Sequence, residues 1–275
     1  MTVAAMPQPS DGLRQGGALK LHRTSRFGEV SIASLAPKSP EKQAGEPPAE
    51  GAALYYLRLG VTADSTHPGR RGGARNRADR ESTALTGRQV ANLIAAAGHA
   101  RAIGLPFTRM VTIHWEAAGV PPLGLARATG RFLDLLSKAL ARHGAGSAWL
   151  WVHESGVGKG AHCHLLAHVP PDLVKVISRL QAGWLRRITG RPYKARVIHS
   201  KPIGGRLGLE TGNPALHARN AEAALGYLLK GADADARTAF ELARHEPGGR
   251  ILGKRCGTSQ NIGAGARERS RHETR

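Results

Sequence analysis

From residue 107 to residue 230 the chain switches repeatedly between two hydrophobic periods. Period two marks strands and a period near 3.6 marks helices. A strand is expected over residues 107–115, then a helix over 123–143 with Leu125, Phe132, Leu135, Leu136 and Leu140 on one face. Strands over 147–154 and 161–169 flank a glycine-rich turn at 155–160. Pro171 and Asp172 open a second helix to residue 188, with Leu173, Val176, Ile177, Leu180 and Trp184 inward. A fourth strand over 193–199 precedes an alanine-rich helix over 214–230. The order β-α-β-β-α-β predicts an α+β fold of the ferredoxin-like, split βαβ kind. Its antiparallel sheet should carry helices on one face and leave the other for a ligand.

Upstream, Thr86 is placed to cap a helix over 87–103 with Val90, Leu93, Ile94 and Ala97 aligned. Residues 54–59 fit one strand. These segments extend the expected domain to residues 53–262. Residues 1–52 are rich in Pro, Gly, Ser and charge and read as a loosely ordered extension. Residues 263–275 read as a basic, disordered tail.

Charge changes the picture most. The chain has 40 Lys and Arg against 20 Asp and Glu, a net charge of +20. That excess points to a polyanion, nucleic acid first, because basic contacts with phosphate release counterions. No apolar run reaches membrane-spanning length and no signal-peptide core opens the chain. Two cysteines, Cys163 and Cys256, make no disulfide framework. A bacterial-type cytoplasmic setting is expected. Arg70, Arg71 and Arg75 lie in a basic tract that is either a solvated linker or an arm on phosphates. Lys159, in the glycine turn, is a further DNA-contact candidate.

The candidate chemistry lies in the third strand. Alternation puts His162, His164, Leu166 and His168 on one face and Cys163 on the other. Residues two apart lie roughly 6.6 Å apart along a strand, so His162 and His164 can converge on one ion. His168, roughly 13 Å beyond His164, is too far to join them. A third ligand must come from a neighbouring strand. Glu154 serves if the hairpin sets it opposite His162; a one-residue slip presents His153 instead. His114 and Glu116 are weaker candidates. Two imidazoles and one carboxylate leave coordination sites open, which suits Mg²⁺ or Mn²⁺ working on phosphate. Tyr227 and Lys230 share a helix face three residues apart. A nearby ammonium can steady a phenolate, or the charge that builds on phosphate.

With both motifs placed, the chain resembles the HUH endonucleases, named for histidine–hydrophobic–histidine. It is most similar to their replication-initiator branch. The resemblance covers residues 106–230. It rests on His162-Cys163-His164 and on Tyr227-Leu228-Leu229-Lys230, which matches Tyr-x-x-Lys. It implies catalysis by Tyr227 and Lys230 and a divalent metal on His162, His164 and Glu154. The implied reaction nicks single-stranded or hairpin origin DNA, leaving a 5′-phosphotyrosine and a free 3′-OH for rolling-circle replication. No phosphate-binding helicase loop is present, so a host helicase and polymerase are the implied partners. The segment 254–261, with Lys254 and Arg255, also resembles part of such proteins and is a DNA-contact candidate. A non-catalytic nucleic-acid-binding module and an HUH-type transposase are the alternatives. Against the module, aromatics are only 4% of residues, too few for an extended stacking platform. Origin sequence and oligomeric state are not encoded in any recognisable signal.

Overall fold

A computed structural model describes residues 80–273 of the chain. The strand expected over 54–59 and the arginines Arg70, Arg71 and Arg75 lie outside the described residues. A short strand, β1 (Glu81–Ser82), precedes helix α1 (Gly87–Ala102). Thr86 caps α1 reciprocally: its side chain accepts from the Gln89 amide while Gln89 Oε1 accepts from the Thr86 amide at 2.9 Å. Then come β2 (Arg109–Ile113), α2 (Leu125–Arg142), β3 (Trp149–Gly156), β4 (Gly160–Ala167), α3 (Val174–Thr189) and β5 (Ile198–Pro202). The chain continues through α4 (Pro214–Leu228), α5 (Ala234–Ala239), β6 (Ile251–Leu252), β7 (Cys256–Thr258) and α6 (Ala264–Glu273).

The main sheet has the order β5-β2-β4-β3-β7, and every neighbouring pair is antiparallel. Its first four strands in chain order follow the split βαβ connectivity that the element order predicts. The fold is thus α+β.

Helices cover both faces of this sheet, not one. On one face Val111, Ile113, Cys163 and Leu165 pack with Phe132 and Leu136 of α2 and Ile177 and Trp184 of α3. On the other, Leu150, Val152 and Leu166 pack with Val90 and Leu93 of α1 and Leu225 and Leu228 of α4. The physical reason is visible in β4, buried at seven consecutive positions. A strand covered on both sides is apolar without alternation. His162 and His164 lie on this second face and are buried as well.

Two further expectations are corrected, and a third segment proves to be part of the sheet. The fourth strand is Ile198–Pro202 instead of 193–199. Arg196 has a left-handed φ of 66°, which breaks extended structure, and pairing with β2 begins at Ile198 opposite Ile113. The segment 254–261 contains a strand: β7 pairs with β3, setting Thr258 opposite Leu150 and Cys256 opposite Val152. The tail is helical as α6. Arg267 fastens it by donating to the Ile262 carbonyl at 2.6 Å and to Asn92 Oδ1 at 2.7 Å. Because α6 buries no residue, it carries no apolar periodicity to read.

One buried polar chain crosses the first face. Trp115 Nε1 donates to Thr129 Oγ1 at 2.8 Å, Thr129 donates to His153 Nε2 at 2.8 Å, and His153 Nδ1 donates to the Lys254 carbonyl at 3.0 Å. Burial pushes His153 down to about 3, so the ring is neutral and holds this one tautomer. Replacing Thr129 with Val would strand the indole N–H and an imidazole nitrogen. Thr129→Val should cost about 2–4 kcal/mol, seen as a lower urea midpoint at unchanged slope. An unchanged midpoint would mean that this chain of bonds contributes nothing to stability.

Candidate metal centre

The β3–β4 hairpin decides which side chains meet. Its register sets Glu154 opposite His162 and Val152 opposite His164. Cross-strand partners share a face, so Glu154, His162 and His164 converge. The turn depends on Gly160, whose φ is +63° and whose added Cβ would meet Glu116 Oε2 at 2.5 Å. Glu116 itself accepts from the Ala161 amide at 2.7 Å, which closes the hairpin.

Ligand atoms of Glu154, His162 and His164 all lie within 4.8 Å of one another, and all three residues are buried. Glu154 Oε2 is 3.6 Å from His162 Nε2 and 3.4 Å from His164 Nε2. The outer nitrogens are anchored. His162 Nδ1 donates to the Gly160 carbonyl at 2.9 Å, and His164 Nδ1 bonds Thr112 Oγ1 at 3.0 Å. Both bonds aim Nε2 into the cluster, the arrangement that orients imidazoles on a metal. His164 Nε2 and Glu154 Oε1 are buried without a hydrogen-bond partner. Orphaned acceptors of this kind are costly unless a cation serves them. The donor set therefore fits a metal ion.

Electrostatics agrees. Burial holds the His164 imidazole below its usual value, keeping a lone pair available. Burial alone would raise the Glu154 carboxyl, but the close approach of His162 and His164 and the Lys230 ammonium outweigh it and keep the group ionised. Lys230 is itself buried, in the turn just after α4 and not on the expected helix. Its ammonium bonds Glu154 Oε2 and lies 3.3 Å from Glu246 Oε2.

Tyr227 stands beside this cluster. Its ring is 5.0 Å from the His164 ring, edge-on, and Lys230 Nζ lies 4.9 Å from its centroid. Burial pushes the phenol above its ordinary value, and Lys230 opposes that shift without cancelling it. The structure therefore brings together Glu154, His162, His164, Tyr227 and Lys230.

The other ligand candidates fall outside the set whose ligand atoms converge. His153 points to the opposite face, in the buried chain with Thr129. Glu116 serves the hairpin, and His114 lies outside the triad with its ring 5.5 Å from that of His162. Cys163 packs in the core, where burial pushes its thiol up to about 12. Lys159 and Lys254 are exposed, as DNA contacts require. Arg255 is not: it is 2% exposed. Its guanidinium donates to Ser82 Oγ and to the carbonyls of Ser82, His153, Gly248 and Gly249. Five N–H groups in a fixed fork suit these converging oxygens, so Arg255 fastens loops and cannot reach DNA. Gly249 is pinned with it: φ is +65° and an added Cβ would lie 1.7 Å from the Ser155 carbonyl.

Three contributors were not foreseen. Thr112 shares the histidine face, and its strand alternation could have shown that. Glu246 and Arg244, the latter 5.9 Å from the Tyr227 ring centroid, come from a segment without periodicity and gave no signal. No protein-family model, curated protein or solved structure matches the chain. Among the described residues no helix is long and apolar enough to cross a membrane.

Mn²⁺ at about 100 times its Kd should stabilise the wild type by about 2.7 kcal/mol, read as a higher melting midpoint. His162→Ala and His164→Ala should remove that rise; the same rise in both variants would refute the ligand assignment. Arg255→Met should lower stability by about 3 kcal/mol yet leave DNA affinity of the folded protein unchanged. A selective loss of affinity would restore Arg255 as a contact.

Proposed function

We propose that this chain is a metal-dependent, single-strand DNA endonuclease and strand transferase that uses Tyr227 as nucleophile. The observation that carries the reading is the packing of the Tyr227 ring against His164, one of three convergent metal ligands. A phenol has little reason to adjoin a cation site unless both act on one group. A phosphodiester is that group: it binds metal through a non-bridging oxygen and accepts attack at phosphorus.

The donor set suits Mg²⁺ or Mn²⁺, held by His162, His164 and Glu154 with positions left for substrate oxygens. Such an ion, when bound, withdraws charge from the scissile phosphate. The chain's own residues supply the rest. The Tyr227 oxygen bonds to phosphorus as the P–O3′ bond breaks, its proton passes to solvent, and the departing O3′ takes up a proton. The product is a 5′-phosphotyrosine and a free 3′-OH. Lys230, held between Glu154 and Glu246, places a fixed positive charge beside the attacking ring.

The net charge of +20, with exposed Lys159 and Lys254, favours a nucleic-acid substrate. The split βαβ connectivity and the resemblance to HUH replication initiators favour rolling-circle initiation on single-stranded or hairpin origin DNA. A host helicase and polymerase would then act as partners, in a cytoplasmic setting. An HUH-type transposase would share this chemistry. A purely binding module is disfavoured, because α1 and α4 cover much of the sheet face that would carry bases.

Wild-type protein with Mn²⁺ and a pool of labelled single strands should give a denaturation-resistant protein–DNA adduct. Tyr227→Phe should give none, a loss of at least about 10³-fold, while keeping native DNA binding. An adduct of equal yield in Tyr227→Phe would refute the nucleophile.

A further inference from the structure

Two imidazoles outside the triad have no role in that chemistry. His114 lies just past the end of β2, and His199 lies on β5. His199 pairs in register with Thr112, and Thr112 pairs with His164, so His199 belongs to the histidine face. His114, two residues beyond Thr112, shares that face. The rings form an arc. Tyr227 to His164 is 5.0 Å, His164 to His162 is 4.8 Å, His162 to His114 is 5.5 Å, and His114 to His199 is 5.8 Å between centroids.

The ends of this arc differ. Tyr227 touches the triad through His164, whereas His114 touches it through His162. His199 is exposed and His114 half-buried, and no described residue gives either ring a hydrogen bond. Lys159 is close enough to act on the charge of His114. The nearby acid, Glu116, is turned to the Ala161 amide. The patch therefore offers N–H donors, flat rings and a cation.

Displacement at phosphorus runs in line, so the leaving O3′ departs on the side away from the nucleophile. With Tyr227 at the His164 end, that side is the His162 end. We infer that His114 and His199 form a seat for the nucleotide that carries the new 3′-OH, holding it after the strand is cut. The inference rests on the proposed tyrosine chemistry and adds which fragment stays bound without a covalent link. A held 3′-OH remains placed to attack the phosphotyrosine, which reseals the strand, or to prime synthesis.

The test uses full-length protein, Mn²⁺ and a cleaved single strand labelled at each end, with His199→Ala beside wild type. His199 touches no triad residue, and unchanged Mn²⁺ stabilisation checks that the site is intact. The 3′-labelled part reports the covalent adduct; the 5′-labelled part carries the new 3′-OH. His199→Ala should form adduct within about twofold of wild type but release the 5′-labelled part about tenfold faster, with resealing reduced alike. Equal release rates would overturn the seat, as would parallel losses of adduct and retention. No adduct with wild type would instead overturn the tyrosine reading, and the seat with it.

Discussion

A carboxylate buried between two histidines must be neutralised, and most of this architecture follows from how Glu154 is served. An isolated buried charge costs several kcal/mol, so Glu154 requires cations at close range. Lys230 provides one from the turn after α4. That contact fixes where α4 ends on the sheet, and Tyr227, three residues earlier, is thereby set against His164. The same pairing pulls the Glu246 segment in, since Lys230 also bonds Glu246 and its carbonyl accepts from the Glu246 amide at 3.0 Å. The histidine pair, Tyr227 and the covering segment are thus tied to one charge.

The remaining constraints hold that charge in register. Arg255 gathers the carbonyls of His153, Gly248 and Gly249, fastening the end of β3 to the segment after α5. The Trp115–Thr129–His153 chain fastens the same strand from its other face. Neither group touches the cluster, yet both restrain the strand that carries Glu154. A slip of one residue would put His153 in the ligand position and bury Glu154 among apolar side chains.

Sequence patterning made the cluster legible because strand alternation is local. It put His162 and His164 on one face, named Glu154 as third ligand for one hairpin register, and separated Cys163 from them. The capping box at Thr86 was equally local, and α1 ends within a residue of the expected position. What escaped was set by distant partners. Strand β7 is three residues long and exists only because β3 offers it an edge. Arg255 looks like any surface arginine until the carbonyls around it are assembled. Glu246 lies in a segment without period, and its bond to Lys230 follows from the fold alone. Helices on both faces were hinted at by the consecutive apolar residues Leu165, Leu166 and Ala167 in β4, a signal that alternation reasoning sets aside.

Charge balance links the cluster to its proposed substrate. Glu154 and Lys230 together are neutral, and the two imidazoles carry no charge when they serve as ligands. A divalent ion therefore leaves the pocket with an excess of two positive charges. Glu246 offsets little of that, because its side chain is 60% exposed and screened by water. In a buried pocket such an excess is expensive, so an anion that enters with the ion is favoured. A phosphodiester carries one negative charge on each link and presents several links in succession. The exposed cation Lys159 extends the same preference beyond the pocket. Metal and strand should therefore strengthen each other's binding, since each supplies charge that the other lacks.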